Sequence, residues 1–323
     1  MADMPPVCGR FAPSPSGRMH AGNVFCALLA WLSARSQGGR MVLRIEDLDP
    51  DRCTRAYAAQ LEDDLRWLGL DWDKGGLAAG DDYLQSACTA RYAAAFHALE
   101  ARGLTYPCFC TRAALHAASA PHLSDGRVLY SGACRNLTAS EVAARASVRR
   151  PAMRLRVPDE DVCFVDGVYG TVCENLAQET GDFVLRRADG VYAYQLAVVV
   201  DDGRMGVTEV VRGCDLLSST ARQLYLYRLL GLTPPRFTHI PLLCAPDGRR
   251  LSKRDRDLDL GCIRANCNSP EPFLGQLAFL AGLIDRPAPL CARELLPYYT
   301  PARLPRQNVV LSPQTYHALC NET

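Results

Sequence analysis

Apolar positions along the first third of the chain switch between two periods. A short run at Val7–Phe11 reads as a β-strand, followed by a turn rich in Gly, Pro and Ser. Val24, Ala27, Leu28, Trp31 and Leu32 then recur at helical spacing. Gly38 and Gly39 end that helix. RMVLRIEDLD follows as a short strand that ends in acids. Strand, helix and strand predict a βαβ unit with a right-handed crossover, the seed of a doubly wound nucleotide-binding sheet. A helix from about Cys53 to Leu68, a turn at DWDKGG and a second helix ending at Gly103 come next.

From Tyr106 to about Val200 the pattern changes. AMRLRV, VCFVDGVYG and DFVLRRADGVYAYQLAVVVDD read as short strands, with RADG as a turn. This predicts a β-rich insertion. GVTEVVRGCDLL and STARQLYLYRLLG restore strand and helix, and PPRFTHIPLLCAPDGRR adds a strand and a turn before a basic loop. PFLGQLAFLAGLI and ARELLPYY read as helices of a small C-terminal unit. The expected organisation is 1–105 and 200–260 as the two halves of a Rossmann-type domain, 106–199 as the insertion, and 261–323 as the helical unit. The fold class is α/β, a doubly wound parallel sheet.

Composition narrows the reading. The chain has 323 residues, 48% hydrophobic and 22% charged, as in an ordinary soluble protein. The net charge of +1 excludes a global basic field, so a nucleic-acid partner must meet a local patch. The N-terminus lacks a signal-peptide pattern. The apolar stretch VFCALLAWL is too short to span a bilayer. A cytosolic protein with no membrane partner is expected, and its 15 cysteines then read as buried small hydrophobes or metal ligands, not disulfides. Cys8, Cys26, Cys88, Cys163, Cys173 and Cys214 take the first reading, and Cys262 and Cys267 are left as structural.

Three elements carry candidate chemistry. PSPSGRMHAGN is a turn at a helix N-terminus, where backbone N–H groups suit a phosphate and Gly17 and Gly22 allow close approach. His20 stands near the helix start, placed to donate to an anionic oxygen. GRRLSKRDRD is a cationic arm with Arg249, Arg250, Lys253, Arg254 and Arg256, and Lys253 is a point charge suited to polyphosphate. Arg10, Glu46 and Arg212 sit where strands meet loops, on the rim where open α/β sheets bind ligands. Two guanidiniums and one carboxylate suit an amino acid with an extra acidic group.

These segments resemble the glutamyl branch of the class I aminoacyl-tRNA synthetases. RFAPSPSGRMHAGN is similar to its HIGH motif, with Asn23 in place of the second histidine, and RIEDLDPDR to its RIEDTD strand end. YQLAVVVDD and GVTEVVRGCDLL resemble its substrate-pocket segment. RLSKR stands where the KMSKS loop belongs, keeping Ser252 and Lys253 but with Arg254 for the last serine. The chain stops soon after that loop, as in the glutamyl-queuosine tRNA(Asp) synthetases, which look like a glutamyl catalytic body without the anticodon domain. Val198, where many glutamyl enzymes have Asn, favours that branch.

The resemblance implies ATP with Mg²⁺, L-glutamate and queuosine-containing tRNA(Asp) as partners. It implies His20 and Lys253 as catalytic residues. Arg10, Ala12, Ser14, Glu46, Tyr194 and Arg212 would bind glutamate. Pro13, Gly17, His20, Gly22, Asn23, Ser252 and Lys253 would bind ATP. A truncated glutamyl-tRNA synthetase acting on tRNA(Glu) and a non-catalytic nucleotide- or RNA-binding paralogue are the alternatives.

Cys108, Cys110 and Cys134 provide three candidate thiolates, and a structural zinc site needs four ligands. Ligand chemistry favours His116 or His122 as the fourth, since neutral imidazole binds zinc readily. The resemblance implies Tyr130 instead, because YSGAC matches the family's Tyr-x-x-x-Cys half-site. The expected set is Cys108, Cys110, Tyr130 and Cys134, one structural zinc per chain.

Overall fold

The computed structural model describes residues 6–111, 129–251 and 258–321. Strand β1 (Cys8–Phe11) leads through the Pro/Ser/Gly turn into helix α1 (Ala21–Ser36). Eleven of the sixteen α1 residues are buried, so the helix is apolar on nearly every side and packs as a central element. Strand β2 (Arg40–Leu43) pairs in parallel with β1, Arg10 opposite Val42. Helix α2 (Arg55–Trp67) is capped by Thr54 and buries Ala58, Leu61 and Leu65. The turn expected at DWDKGG contains a two-residue strand, β3 (Lys74–Gly75), parallel to β2. Short 3₁₀ turns precede α3 (Thr89–Ala101), which therefore starts later than its apolar pattern suggested.

Strands β4 (Thr105–Cys108) and β5 (Ala152–Leu155) begin the β-rich segment and pair antiparallel. Next come the hairpin strands β6 (Asp161–Asp166) and β7 (Gly170–Asn175), and then β8 (Phe183–Arg186), which joins β5. Strands β9 (Glu209–Gly213) and β10 (Arg236–Ile240) are parallel, and β10 pairs with β6, giving the order β7-β6-β10-β9. The β6–β7 hairpin thus extends the parallel sheet. β9 lies beside β1, where Thr208 N–H donates to Cys8 O at 2.9 Å and Cys8 N–H to Thr208 Oγ1 at 2.8 Å. The layered order is β3-β2-β1, then β9-β10-β6-β7. Chain direction reverses its winding between β1 and β9, and open α/β sheets bind ligands at such a switch point.

Three expectations are corrected. YQLAVVVDD is not a strand but the start of a helix, Tyr194–Met205, ended by Gly206 in the left-handed region at φ 67°. It buries Leu196, Ala197, Val198, Val199, Asp201 and Asp202, so its contiguous apolar run shows no one-sided stripe. ARELLPYY forms turns and a single 3₁₀ turn, Leu296–Tyr298, while the C-terminal unit also supplies strand β12 (Val309–Val310) to pair with β11 (Leu243–Cys244). Cys163 and Cys173 form a disulfide. They stand directly opposite in the β6–β7 ladder with Cα atoms 4.1 Å apart, a proximity that isolated positions in the sequence conceal.

The sheet carries a buried charge cluster. Arg44 is fully buried, and its Nη1 donates to Asp202 Oδ1 at 2.5 Å and its Nη2 to Glu46 Oε1 at 3.0 Å. Arg10 Nε lies 3.8 Å from Asp202 Oδ2, an ion pair too long for a hydrogen bond. Asp201 accepts from Tyr92 OH at 2.7 Å and from Gln85 Nε2 at 2.9 Å. Removing one partner of such a cluster strands the others without water. Arg44→Met is expected to lower unfolding stability by about 3–5 kcal/mol, read from urea denaturation. A loss below about 1 kcal/mol would show that the acids find other partners.

Candidate active site

A cleft of about 1280 Å³ opens at the switch point between β1 and β9. Every described residue that the sequence nominated for glutamate or ATP lines it. β1 delivers Arg10 and Ala12, and the following turn delivers Pro13, Ser14 and Gly17. The turn is braced by Glu46 N–H donating to Pro13 O at 3.0 Å and by Ser16 N–H donating to Ser14 O at 2.9 Å. Gly17 has φ 143°, a conformation that side-chain-bearing residues rarely adopt. Ser252 and Lys253 lie outside the described residues, as do Arg254, Arg256, His116 and His122.

His20 is the N-cap of α1. Its Nδ1 accepts from Gly22 N–H at 3.1 Å, and Asn23 Oδ1 accepts from His20 N–H at 3.1 Å, which closes a capping box. With Nδ1 used as acceptor, the neutral ring carries its proton on Nε2. A Cβ on residue 22 would stand 3.0 Å from His20 Cε1, so glycine there keeps the ring in place. Asn23 in this arrangement serves the cap. The helix start is also tied to the segment that follows the basic loop. Ala21 N–H donates to Leu258 O at 3.0 Å and Leu260 N–H to Met19 O at 2.9 Å. Leu251 and Leu258, which flank the loop, are both buried.

Arg212 projects from the end of β9, and Tyr194 from the first turn of its helix. Arg212 is buried and surrounded by neutral acceptors. Nε donates to His239 Nε2 at 3.0 Å, Nη1 to Gln223 Oε1 at 2.7 Å, and Nη2 to Thr220 Oγ1 at 2.8 Å. Among the described residues no carboxylate forms an ion pair with it. Burial lowers its pKa, as expected for a desolvated cation lacking a close anion. Glu46 moves the other way: burial raises its carboxyl pKa although Arg44 and Arg10 pull it down. A buried arginine without a carboxylate partner and a buried glutamate that Arg44 only partly offsets thus face one cleft.

Sequence reasoning missed the residues behind this front. Arg44 and Asp202 anchor Arg10 and Glu46 from below. His239 on β10 and Asp166 on β6 are both wholly buried, with Nδ1 and Oδ2 2.6 Å apart. The only signals for them are one imidazole in the apolar run FTHIPLL and one acid at the end of VCFVD.

The family model for class I tRNA synthetases (E and Q), catalytic domain, matches residues 6–283. The glutamyl-Q tRNA(Asp) synthetase of Symbiobacterium thermophilum is 50% identical over 98% of this chain and 99% of its own length. That of Nitratidesulfovibrio vulgaris is 48% identical over 94% and 95%. The chain belongs to the glutamyl-Q tRNA(Asp) synthetase family. This synthetase also superimposes on the crystal structure of a glutamate tRNA ligase from Elizabethkingia meningosepticum in complex with its amino acid. The TM-score is 0.80 at 27% identity, covering 98% of this chain and 69% of the ligase. No helix among the described residues is long and apolar enough to cross a membrane.

Away from the cleft, the synthetase gathers Cys108, Cys110 and Cys134 with their sulfurs within 4.8 Å of one another. Cys110 and Cys134 are 3.7 Å apart, close to the roughly 3.8 Å that two sulfurs span around a tetrahedral ion. Tyr130 OH lies 3.5 Å from Cys108 Sγ and accepts from Cys134 N–H at 2.9 Å. Burial and the neighbouring Cys108 and Cys134 sulfurs push the Cys110 thiol up to about 12. Three adjacent thiolates need a cation between them, so this donor set fits a metal ion.

The buried His239–Asp166 pair sets a pH dependence. Burial lowers the His239 pKa, despite the opposing pull of Asp166. Its contribution to stability is therefore present above the unfolded value of about 6.5 and is lost as pH falls through the lower folded value. Burial raises the Asp166 carboxyl, but bonds from His239, Tyr169 N–H and Val168 N–H outweigh it and leave the pKa lowered, so its contribution also fails in acid. Urea midpoints are expected to fall between pH 7 and pH 5, and less steeply in His239→Gln. Equal slopes in both proteins would remove His239 from the explanation.

Proposed function

We propose that this synthetase activates L-glutamate with ATP and transfers the glutamyl group to the queuosine base in the anticodon of tRNA(Asp). The convergence of Arg10, Glu46, Tyr194 and Arg212 with the His20 turn in one cleft carries the reading. The near full-length similarity to glutamyl-Q tRNA(Asp) synthetases supplies the class of acceptor.

In the first step an oxygen of the glutamate α-carboxylate attacks the α-phosphorus of ATP. The bond from that phosphorus to the bridging oxygen breaks, and pyrophosphate leaves with the electron pair. Positioning and charge stabilisation supply the catalysis. The two arginines receive the two carboxylates, and Glu46 accepts from the ammonium, whose charge would hold Glu46 ionised. Ala12, Ser14 and Tyr194 complete the amino-acid pocket. His20, Gly17, Gly22 and the start of α1 hold the triphosphate, with Pro13, Asn23 and Ser252 around it, and Lys253 stabilises the departing pyrophosphate. Mg²⁺ enters with ATP. In the second step a hydroxyl of the queuosine cyclopentenediol attacks the carbonyl carbon of the mixed anhydride. The bond from that carbon to the phosphate oxygen breaks, AMP leaves with the electron pair, and the hydroxyl proton passes to the AMP phosphate or to water. The RNA must present a splayed anticodon base, the usual way single-stranded RNA is read.

The thiolate cluster, in this reading, holds one structural zinc ion through Cys108, Cys110 and Cys134, with Tyr130 as fourth ligand. Four protein ligands leave no open position for chemistry.

Glutamate-dependent ATP–pyrophosphate exchange is the first test, and Lys253→Ala should reduce it by about 100-fold at unchanged melting temperature. Labelled glutamate should appear on queuosine-containing tRNA(Asp) and not on queuosine-free tRNA(Asp) or tRNA(Glu). Exchange without that transfer, or labelling of tRNA(Glu), would overturn the acceptor assignment. For the metal, purified Tyr130→Phe is expected to lose zinc by elemental analysis while His116→Ala and His122→Ala keep it. The reverse pattern would make a histidine the fourth ligand.

A further inference from the structure

Arg212 is held by an arrangement that nothing in the reaction uses directly. Four elements meet around it. Below it lies Phe237, with the guanidinium carbon 5.0 Å from the ring centroid. His239 stacks on Phe237, with ring planes 12° apart. The Thr220–Leu230 helix supplies Thr220 and Gln223, and Gln223 is itself fixed by donating to Gln195 Oε1 at 2.9 Å. Asp166, at the end of β6, closes the chain from behind.

The hydrogen-bond directions through this chain are set by what each atom is able to do. An arginine only donates, so the His239 Nε2 facing Arg212 Nε must be an acceptor. The ring proton then lies on Nδ1, which faces Asp166 Oδ2 at 2.6 Å. Asp166 also accepts from the N–H groups of Val168, Tyr169 and His239, at 2.9, 3.0 and 3.0 Å. Every partner presented to the carboxylate is a donor, so its acceptor-only chemistry is required. A carboxylate placed directly on Arg212 would orient it equally well but would neutralise the charge that a substrate must meet. Here the negative charge stands one imidazole away.

We propose that Asp166 and His239 are positioning residues for substrate recognition: Asp166 fixes the Nδ1–H tautomer of His239, and the Nε2 lone pair aims Arg212 at a carboxylate of the amino-acid substrate. This rests on the reading of Arg212 as a glutamate-binding residue.

The substitution that isolates the tautomer is Asp166→Asn. The amide can turn an N–H toward Nδ1, which moves the ring proton to Nε2 and sets a donor against the donor on Arg212. The KM for glutamate in pyrophosphate exchange should rise about 10–100-fold, with kcat and the KM for ATP within about 3-fold of wild type. His239→Gln places an amide oxygen near the Nε2 position and should keep the glutamate KM within about 5-fold, whereas His239→Asn should raise it as Asp166→Asn does. A general loss of packing would not separate Gln from Asn in this way. Thermal melting checks the fold of each variant. Should Asp166→Asn fail to fold, the two His239 variants carry the comparison. Nitrogen-15 spectra of histidine-labelled protein, assigned by the signal missing from His239→Gln, should show the wild-type ring protonated on Nδ1 and bare on Nε2. A proton on Nε2, or an Asp166→Asn or His239→Asn enzyme with wild-type glutamate KM, would overturn the proposal. If the wild type shows no glutamate-dependent exchange, the functional reading falls, and the ring spectrum alone decides whether Asp166 sets the tautomer.

Discussion

The active-site rim depends on the rule that a carboxylate cannot be buried without a partner. Asp202 lies inside the molecule on the Tyr194–Met205 helix, and water cannot reach it. Taking such ions out of water costs several kcal/mol each, so geometry must return that energy through close pairing. The partners come from different strands: Arg44 follows β2, and Arg10 stands in β1. Once Asp202 is satisfied, Arg44 has a second group left to bind Glu46, and both ends of the amino-acid pocket are fixed relative to the sheet. The pairing that stabilises the interior thereby also sets the spacing of the exposed chemistry.

The parts of this structure that were legible in the sequence were those written in local pattern. β1, α1 and β2 were readable because the apolar period changed cleanly and Gly38 and Gly39 stopped the helix. The cleft residues were readable because charges stood at strand ends, where open sheets leave a rim. The Tyr194–Met205 helix was misread because it is covered on all sides, and a helix without a polar face loses the period that distinguishes it from a buried strand. Asp166 and His239 escaped for a different reason. Their meaning lies in register between β6 and β10, which only the folded sheet supplies. The same holds for Cys163 and Cys173, whose opposition across a hairpin depends on the ladder.

Cysteines are arranged in two distinct ways in neighbouring parts of the chain. Between β6 and β7 a covalent bridge joins two exposed strand positions at the outer edge of the sheet. From the end of β4 onward three sulfurs gather beside Tyr130, whose ring centroid lies 3.7 Å from the Arg154 guanidinium. Arg154 faces the ring and supplies positive charge beside the three cysteines. The region around the cysteines has its own small apolar cluster, with Tyr106 and Phe109 packed beside these groups. Most of the β-rich segment's apolar side chains, Leu155, Leu176, Phe183 and Leu185 among them, pack instead into the core shared with the following helices.

The adjacency of β1 and β9 has a temporal consequence. Arg10 donates to Val211 O across 201 positions of chain. At typical ribosomal speeds of about 5–20 residues per second, β1 is made roughly 10–40 s before the strand it must lie beside. During that interval the first half of the sheet has an open edge, and the Arg44 and Arg10 guanidiniums have no Asp202 to meet. Contacts of such long separation are slow to form, because the intervening chain must be gathered before they return any energy. The pocket is thus a late feature for the nascent chain, and a ribosome that stalls before β9 releases a sheet without a binding site.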